Sequence, residues 1–378
     1  MSERAWYETF RSMFKGLDRC VFLNSAGVAM VSEPVRDAVL RWAALGQCAE
    51  FDYYAIVSEA RENAAAMVSG RTDRIFFSRN TTHGIHTFIL GYPWQKGDGV
   101  IVADCEFPAN RLSWLGLREK KGVGVRIVKS QNSKAALDDY YKLCDKDTKV
   151  IAISWVQYLS GQKADLAALG RFCRAHDILL VVDGIQGIGA AEMNAEELNI
   201  DWLSADGHKW MCGPEGVGLV WMSERAFNVV TPACKGWFGV EQPFNFEEFD
   251  QDYEANANRF LDGSPMVLGI MAFSAALKML LSFGMDKIAA RVLELSAYTI
   301  NEAKRRGWEV LTPLNPEDRA GIATFRPSSG DLEVIAKKLH DNNIICSLRG
   351  GGWLRLSAHA FNNHEDIDKA FYVIDKNV

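Results

Sequence analysis

The stretch ILLVVDGIQGIGA, residues 178–190, runs from an unbroken apolar segment into an acid and then a glycine-rich turn. A short apolar run bounded by turn residues reads as a strand buried on both faces. Asp183 closes that strand. In an open α/β sheet the carboxyl ends of the strands border the ligand crevice, so Asp183 stands where a binding group is expected. The glycines after it do not make a dinucleotide fingerprint. That pattern puts Gly-x-Gly-x-x-Gly first and its acid about 20 residues later, whereas here the acid comes first.

Working outward, ADLAALGRFCRAH (residues 164–176) sets Leu166, Leu169, Phe172 and Cys173 on one stripe, as in a helix that covers a sheet. VIVAD, VGVRIV, KVIAIS and VGLVWM repeat the short apolar run on either side of it. Strands alternating with helices predict an α/β fold whose mostly parallel sheet is covered by helices on both faces. From about Asn256 the texture changes to long helical segments such as IAARVLELSAYTINEAKRRG, then the strand-like GIATFRP and the helix LEVIAKKLHDNN. That change predicts a smaller α+β domain at the C-terminal end. The expected division is 16–255 for the large domain and 256–378, joined by residues 1–15, for the small one.

Bulk properties narrow the partners. A chain of 378 residues with a formal net charge of −6 is repelled by nucleic acid and by anionic membrane surfaces, which leaves a small molecule as the expected partner. Eight cysteines are scattered without a C-x-x-C pair, which fits reduced thiols and a cytoplasmic setting. The most apolar later run, PMVLGIMAFSAALKMLLSFG, carries Lys278 and small residues throughout, so it reads as a buried helix. The histidines His83, His86, His359 and His364 are too dispersed to predict a metal site.

Downstream of Asp183 comes SADGHKWMCGPEGVG (residues 204–218), in which Lys209 is preceded by a strand-like segment and followed by Gly213, Gly216 and Gly218. An acid on one strand end and a lysine near another can straddle one flat ligand. Pyridoxal phosphate needs that pair, because an amine must bond its aldehyde and a carboxylate must keep its ring nitrogen protonated for the ring to draw electrons. The glycines are expected to leave the backbone room near the ring and phosphate.

With these residues in order, the chain resembles the class V aminotransferase family of fold-type I pyridoxal-phosphate enzymes, the group of the cysteine desulfurases, kynureninase and isopenicillin N epimerase. The likeness runs from FLNSAG near the start to LRLSAHAFNN near the end. It implies pyridoxal 5′-phosphate as cofactor, with Lys209 as the Schiff-base lysine and Asp183 as the partner of the ring nitrogen. It places Gln186 toward the phenolic oxygen and His208 at the phosphate. FSRNTTHGIH resembles the family's phosphate loop, so Thr81 and Thr82 are expected at a helix start against the phosphate. CEFPAN takes the place of the segment that supplies an aromatic over the ring, here Phe107. RFLDGSP resembles the segment that reaches a neighbour's phosphate across a dimer, which implies a homodimer and the roles of Gly263 and Ser264.

Arg355, in the closing motif, is implied as the grip on the substrate carboxylate, since a guanidinium offers two parallel hydrogen bonds. Asn24 of FLNSAG and Tyr158 of WVQYLSG are implied on the substrate side. Two departures stand out. Asp206 lies where many relatives carry a phosphate-binding serine, and a carboxylate there repels phosphate unless it turns away or pairs with a cation. WVQYLSG offers Gln157 and Tyr158 where desulfurases have an asparagine.

The resemblance implies chemistry at Cα and Cβ of a small amino acid, and the leading expectation is a lyase that releases a β-substituent such as sulfur. Transamination or epimerisation is the enzymatic alternative. A scaffold or regulator that binds the cofactor without turnover is the alternative from another class, and the presence of both Lys209 and Asp183 speaks against it. A persulfide on an enzyme cysteine is not expected, because IICSLRGGGWLRLS leaves too few residues between Cys346 and Arg355 for a mobile thiol-bearing loop. A thiol in the apolar run around Cys346 is also poorly reactive, and Cys212, in the glycine turn after Lys209, reads as packing.

Overall fold

The computed structural model describes residues 3–48 and 51–378. Seven strands form the main sheet: β1 (Ile75–Ser78), β2 (Gly99–Ala103), β3 (Gly124–Val128), β4 (Thr148–Ser154), β5 (Leu179–Asp183), β6 (Trp202–Asp206) and β7 (Gly218–Met222). Their order across the sheet is β1-β7-β6-β5-β4-β2-β3, and β7 alone runs against the rest. Every residue of β2, β5, β6 and β7 is buried, as the unbroken apolar runs require of a sheet covered on both faces. The edge strand β3 is partly exposed and correspondingly carries Arg126.

The covering helices follow local signals. Asp165 caps the helix Leu166–Ala175 by accepting the Ala168 N–H at 2.9 Å, and Leu166, Leu169 and Cys173 face the core. Phe172, expected on the same stripe, is half-buried and stacks on His176 with ring centroids 4.1 Å apart. The apolar run after Pro265 is the helix Val267–Phe283, largely buried against the helices Glu33–Gly46 and Tyr53–Val68. No single helix among the described residues is long and apolar enough to cross a membrane.

A second, antiparallel sheet contains β8 (Glu309–Val310), β9 (Ile322–Arg326), β10 (Ser347–Arg349) and β11 (Trp353–Ser357), in the order β10-β11-β9-β8. Its apolar core includes Leu23, and Val21–Phe22 pairs in parallel with Ile344–Ile345. Packing therefore crosses the boundary at 255/256 in both directions: the helix Val267–Phe283 lies on the large layer, and the segment near Leu23 lies on the C-terminal one.

The carboxyl ends of β1, β2, β4, β5 and β6 share one edge of the main sheet. Behind that edge the turn after β5 is close-packed. Gly189 has φ +92°, and a Cβ there would stand 2.4 Å from the Trp210 carbonyl carbon. Gly189→Ala is expected to lower stability by about 2–3 kcal/mol through backbone strain plus a clash that the neighbouring backbone cannot yield to. A denaturant midpoint within error of the parent's would show that this turn relaxes freely.

Candidate active site

Beyond those strand ends lies a cavity of about 470 Å³. It gathers ten of the twelve site residues expected from the sequence: Asn24, Thr81, Thr82, Phe107, Tyr158, Asp183, Gln186, His208, Lys209 and Arg355. Gly263 and Ser264 do not border it. Gly263 lies beside the Trp237 indole, and Ser264 is exposed.

At the floor, Asp183 ends β5 and is 2% exposed. Its Oδ1 accepts the Ile185 N–H at 3.1 Å. Burial pushes this carboxyl up to about 7, opposed by that N–H and by the Lys209 charge. Lys209 feels the converse: burial lowers its amine to about 8, Asp183 works in the opposite direction, and Arg355 and Arg349 lower it further. An amine poised there is partly unprotonated near neutral pH, so it can serve as a nucleophile and as a base. Its Nζ lies 5.5 Å from the centroid of the Phe107 ring, which is itself 40% exposed and meets Tyr158 edge-on at 5.3 Å.

Gln186 is held at both ends of its amide. Its Nε2 donates to the Ala26 carbonyl at 3.0 Å and its Oε1 accepts from the Trp210 indole at 2.9 Å, which leaves one amide hydrogen for a ligand. Thr81 and Thr82 begin the helix Thr81–Gly91, capped by Asn80, whose side chain accepts the His83 N–H at 2.8 Å. The Thr81 hydroxyl oxygen accepts the Asp206 N–H at 3.0 Å, which ties the helix start to the end of β6.

Asp206 does not turn away: it borders the cavity next to His208. Its Oδ2 lies 3.0 Å from Nδ1 of His208. The expected role of the glycines is corrected: Gly213, Gly216 and Gly218 do not border the cavity. A Cβ at Gly218 would stand 2.4 Å from the Ala205 carbonyl oxygen, and one at Gly213 would stand 2.7 Å from the Phe273 ring, so these two glycines permit close packing of protein on protein. Gln157 is likewise turned away from the cavity. It donates to Glu106 at 2.7 Å, and the same buried carboxylate also takes hydrogen bonds from Asn110, the Ser154 N–H and the Ser154 hydroxyl. This anchor sits between Phe107 and the segment bearing Tyr158, and sequence reasoning missed it.

The substrate end is cationic. Arg355 is 1% exposed; its Nη1 donates to the Tyr158 carbonyl at 2.6 Å, while its Nε and Nη2 have no acceptor. Arg349, also missed from the sequence, lines the same wall with an unmatched Nε. Its signal was the LRGGGWLR spacing, two arginines flanking a glycine turn.

These residues fit pyridoxal phosphate. A buried acid and a buried, partly unprotonated amine share the cavity with an aromatic ring 5.5 Å from that amine, and a helix N-terminus with two threonines and a histidine, beside the Asp206 carboxylate, offers donors to an anion. The cofactor supplies an electron sink for bonds at a substrate Cα. The fold and cavity define a fold-type I pyridoxal-phosphate site. Comparison with known proteins agrees: the family description "Aminotransferase class-V" matches residues 21–369. The chain belongs to that family and is a pyridoxal-5′-phosphate-dependent enzyme.

Among its relatives, a probable cysteine desulfurase of Pyrococcus abyssi is 24% identical, covering 94% of each chain. One of Methanothermobacter thermautotrophicus is 27% identical over 82% of this chain and 81% of its own. Among solved structures, the apo cysteine desulfurase of Thermococcus onnurineus superposes with a TM-score of 0.88 at 20% identity, covering 98% of both chains. The cystine C–S lyase C-DES, in complex with its product cysteine persulfide, gives 0.89 at 20% identity over 96% of this chain and 99% of that one.

Proposed function

We propose that the enzyme cleaves a bond from Cβ to a leaving substituent, sulfur being the leading case, in a small amino acid, and that it does so without a persulfide on its own thiols. In this reading Arg355 takes the α-carboxylate with its free Nε and Nη2 edge, Lys209 Nζ takes the Cα proton, the Cα–H electron pair becomes the second Cα–Cβ bond, and the Cβ–substituent electron pair leaves with the substituent. Asp183 holds the ring nitrogen's proton, and Phe107 and Tyr158 shield the reacting face from water. His208, Thr81 and Thr82 hold the phosphate.

The observation that carries the reading is the placement of the thiols. Among the described residues no cysteine lines the cavity. Cys346 leads straight into the hairpin of β10 and β11, and burial pushes its thiol up to about 12. Cys212 is fully buried, with its thiol pushed up as well. The names of the relatives, desulfurases and a C–S lyase, support C–S chemistry in general.

The same reading includes a homodimer in which Gly263 and Ser264 serve the neighbour's phosphate, supported by their position outside the chain's own cavity. A cytoplasmic setting is supported by eight free cysteines. The division at 255/256 into a large and a small domain belongs to it too.

The test begins with a screen of amino acids for a change in the cofactor's visible absorbance, followed by identification of the released product. With the best substrate, Cys346→Ala and Cys212→Ala are each expected to retain turnover within about 3-fold, since neither thiol takes part in bond breaking. Loss of turnover in either variant, together with a persulfide trapped on that cysteine in the parent, makes the enzyme a desulfurase instead.

A further inference from the structure

We propose that the preferred substrate carries a second acidic group on its side chain, which Arg349 binds while Arg355 holds the α-carboxylate. The proposal rests on the reading that Arg355 takes that α-carboxylate, and it adds the class of side chain.

Arg349 ends β10, and Arg355 lies in β11, which pairs with it antiparallel: Ser347 stands opposite Arg355, and Arg349 opposite Trp353. Residues two apart on a strand share a face, so the two arginines leave the sheet on one face as diagonal neighbours about 7–8 Å apart. Both line the cavity. Both also act on Lys209, whose amine each of them lowers. No side-chain carboxylate pairs with either among the described residues; Arg349 has only a long 3.4 Å contact to the Ser347 hydroxyl, and Arg355 only the Tyr158 carbonyl.

The free donors count two anions. Nε and Nη2 of Arg355 form one edge of a guanidinium, which a single carboxylate fills with two parallel bonds. Once it is filled, the buried Nε of Arg349 still has no acceptor, and an unmatched buried donor is costly to keep. A second anion on the same ligand supplies the missing acceptor. Ser347 reinforces the wall from behind, its hydroxyl donating to Asn24 Oδ1 at 2.6 Å. An arginine cannot shed its charge to escape the mismatch. A neutral side chain therefore leaves the buried Nε–H of this half-buried guanidinium unpaired, whereas an acidic one gives it an acceptor and a counter-charge.

Titration calorimetry of the cofactor-loaded protein with succinate and with butyrate, acids of equal chain length, tests this. Succinate is expected to bind about 10-fold or more tightly, as one charge-assisted contact warrants. Arg349→Gln should erase the difference, and Arg349→Lys, which keeps the charge, should retain part of it. Equal affinities in the parent protein overturn the proposal. So does an Arg349→Gln protein that weakens both acids in the same proportion, because that assigns Arg349 to one carboxylate shared with Arg355. Neither acid carries an amine, so the measurement is independent of chemistry at Cα. If amino acids leave the cofactor's absorbance unchanged while succinate keeps its advantage, the proposed function fails and the second anion subsite stands.

Discussion

Lys209→Ala is expected to lose covalent cofactor entirely and to lower turnover by at least about 10⁴-fold, since one side chain supplies both the amine that bonds the aldehyde and the base for the Cα proton. The parent protein, reduced with borohydride, should retain a cofactor chromophore through denaturation; the variant should release all of it. No second lysine lines the cavity among the described residues, so no neighbour can substitute. The burial that lowers Lys209 to about 8 also bears on pH dependence. Base function requires the unprotonated amine, so the parent's activity should rise with pH toward about 8. Cofactor fixed to the variant by borohydride would place the bonding amine elsewhere and remove Lys209 from the centre of the site.

Legibility in the sequence followed the kind of constraint at each position. Asp183 can be read because it ends a run that only a doubly covered strand explains, and strand ends in such sheets face ligands. Lys209 can be read beside it, as an amine near another strand end that pairs with the acid across a flat ligand, whereas His208, Thr81 and Thr82 follow from resemblance, since their types recur in order along the chain. Arg349 could not be read this way. Its meaning depends on the β10–β11 pairing that sets it diagonal to Arg355, and pairing register is a long-range property. Glu106 was hidden for a similar reason, as its donors Ser154 and Gln157 come from another strand and the loop after it. The glycines after Lys209 were assigned to the wrong neighbour because a sequence shows that space is needed but not for which atoms. Only the approach of Gly218 to Ala205 reveals that the space belongs to the sheet.

Asp183→Asn is expected to cut turnover by about 10³-fold while cofactor remains bound through its phosphate end, because an amide cannot hold the ring nitrogen in its protonated state. The same substitution has a readout in the protein stripped of cofactor. Burial raises Asp183 from 3.8 to about 7, so between those values the folded chain keeps a proton that the unfolded chain has released. Stability of the stripped parent should therefore fall as pH rises from about 4 to about 7, and Asp183→Asn should flatten that part of the profile. Lys209, lowered from 10.5 to about 8, has the opposite slope: stability should recover from about pH 8 to about 10.5, where the unfolded chain holds the extra proton. The stripped protein is thus expected to be least stable near pH 7–8, the range in which both buried groups carry charge and the cofactor's ring nitrogen would give Asp183 a counter-ion. Adding cofactor should raise the denaturation midpoint most in that same range. A stripped parent whose midpoint does not fall between pH 4 and 7, together with an Asp183→Asn enzyme that turns over at the parent's rate, would mean that another group protonates the ring.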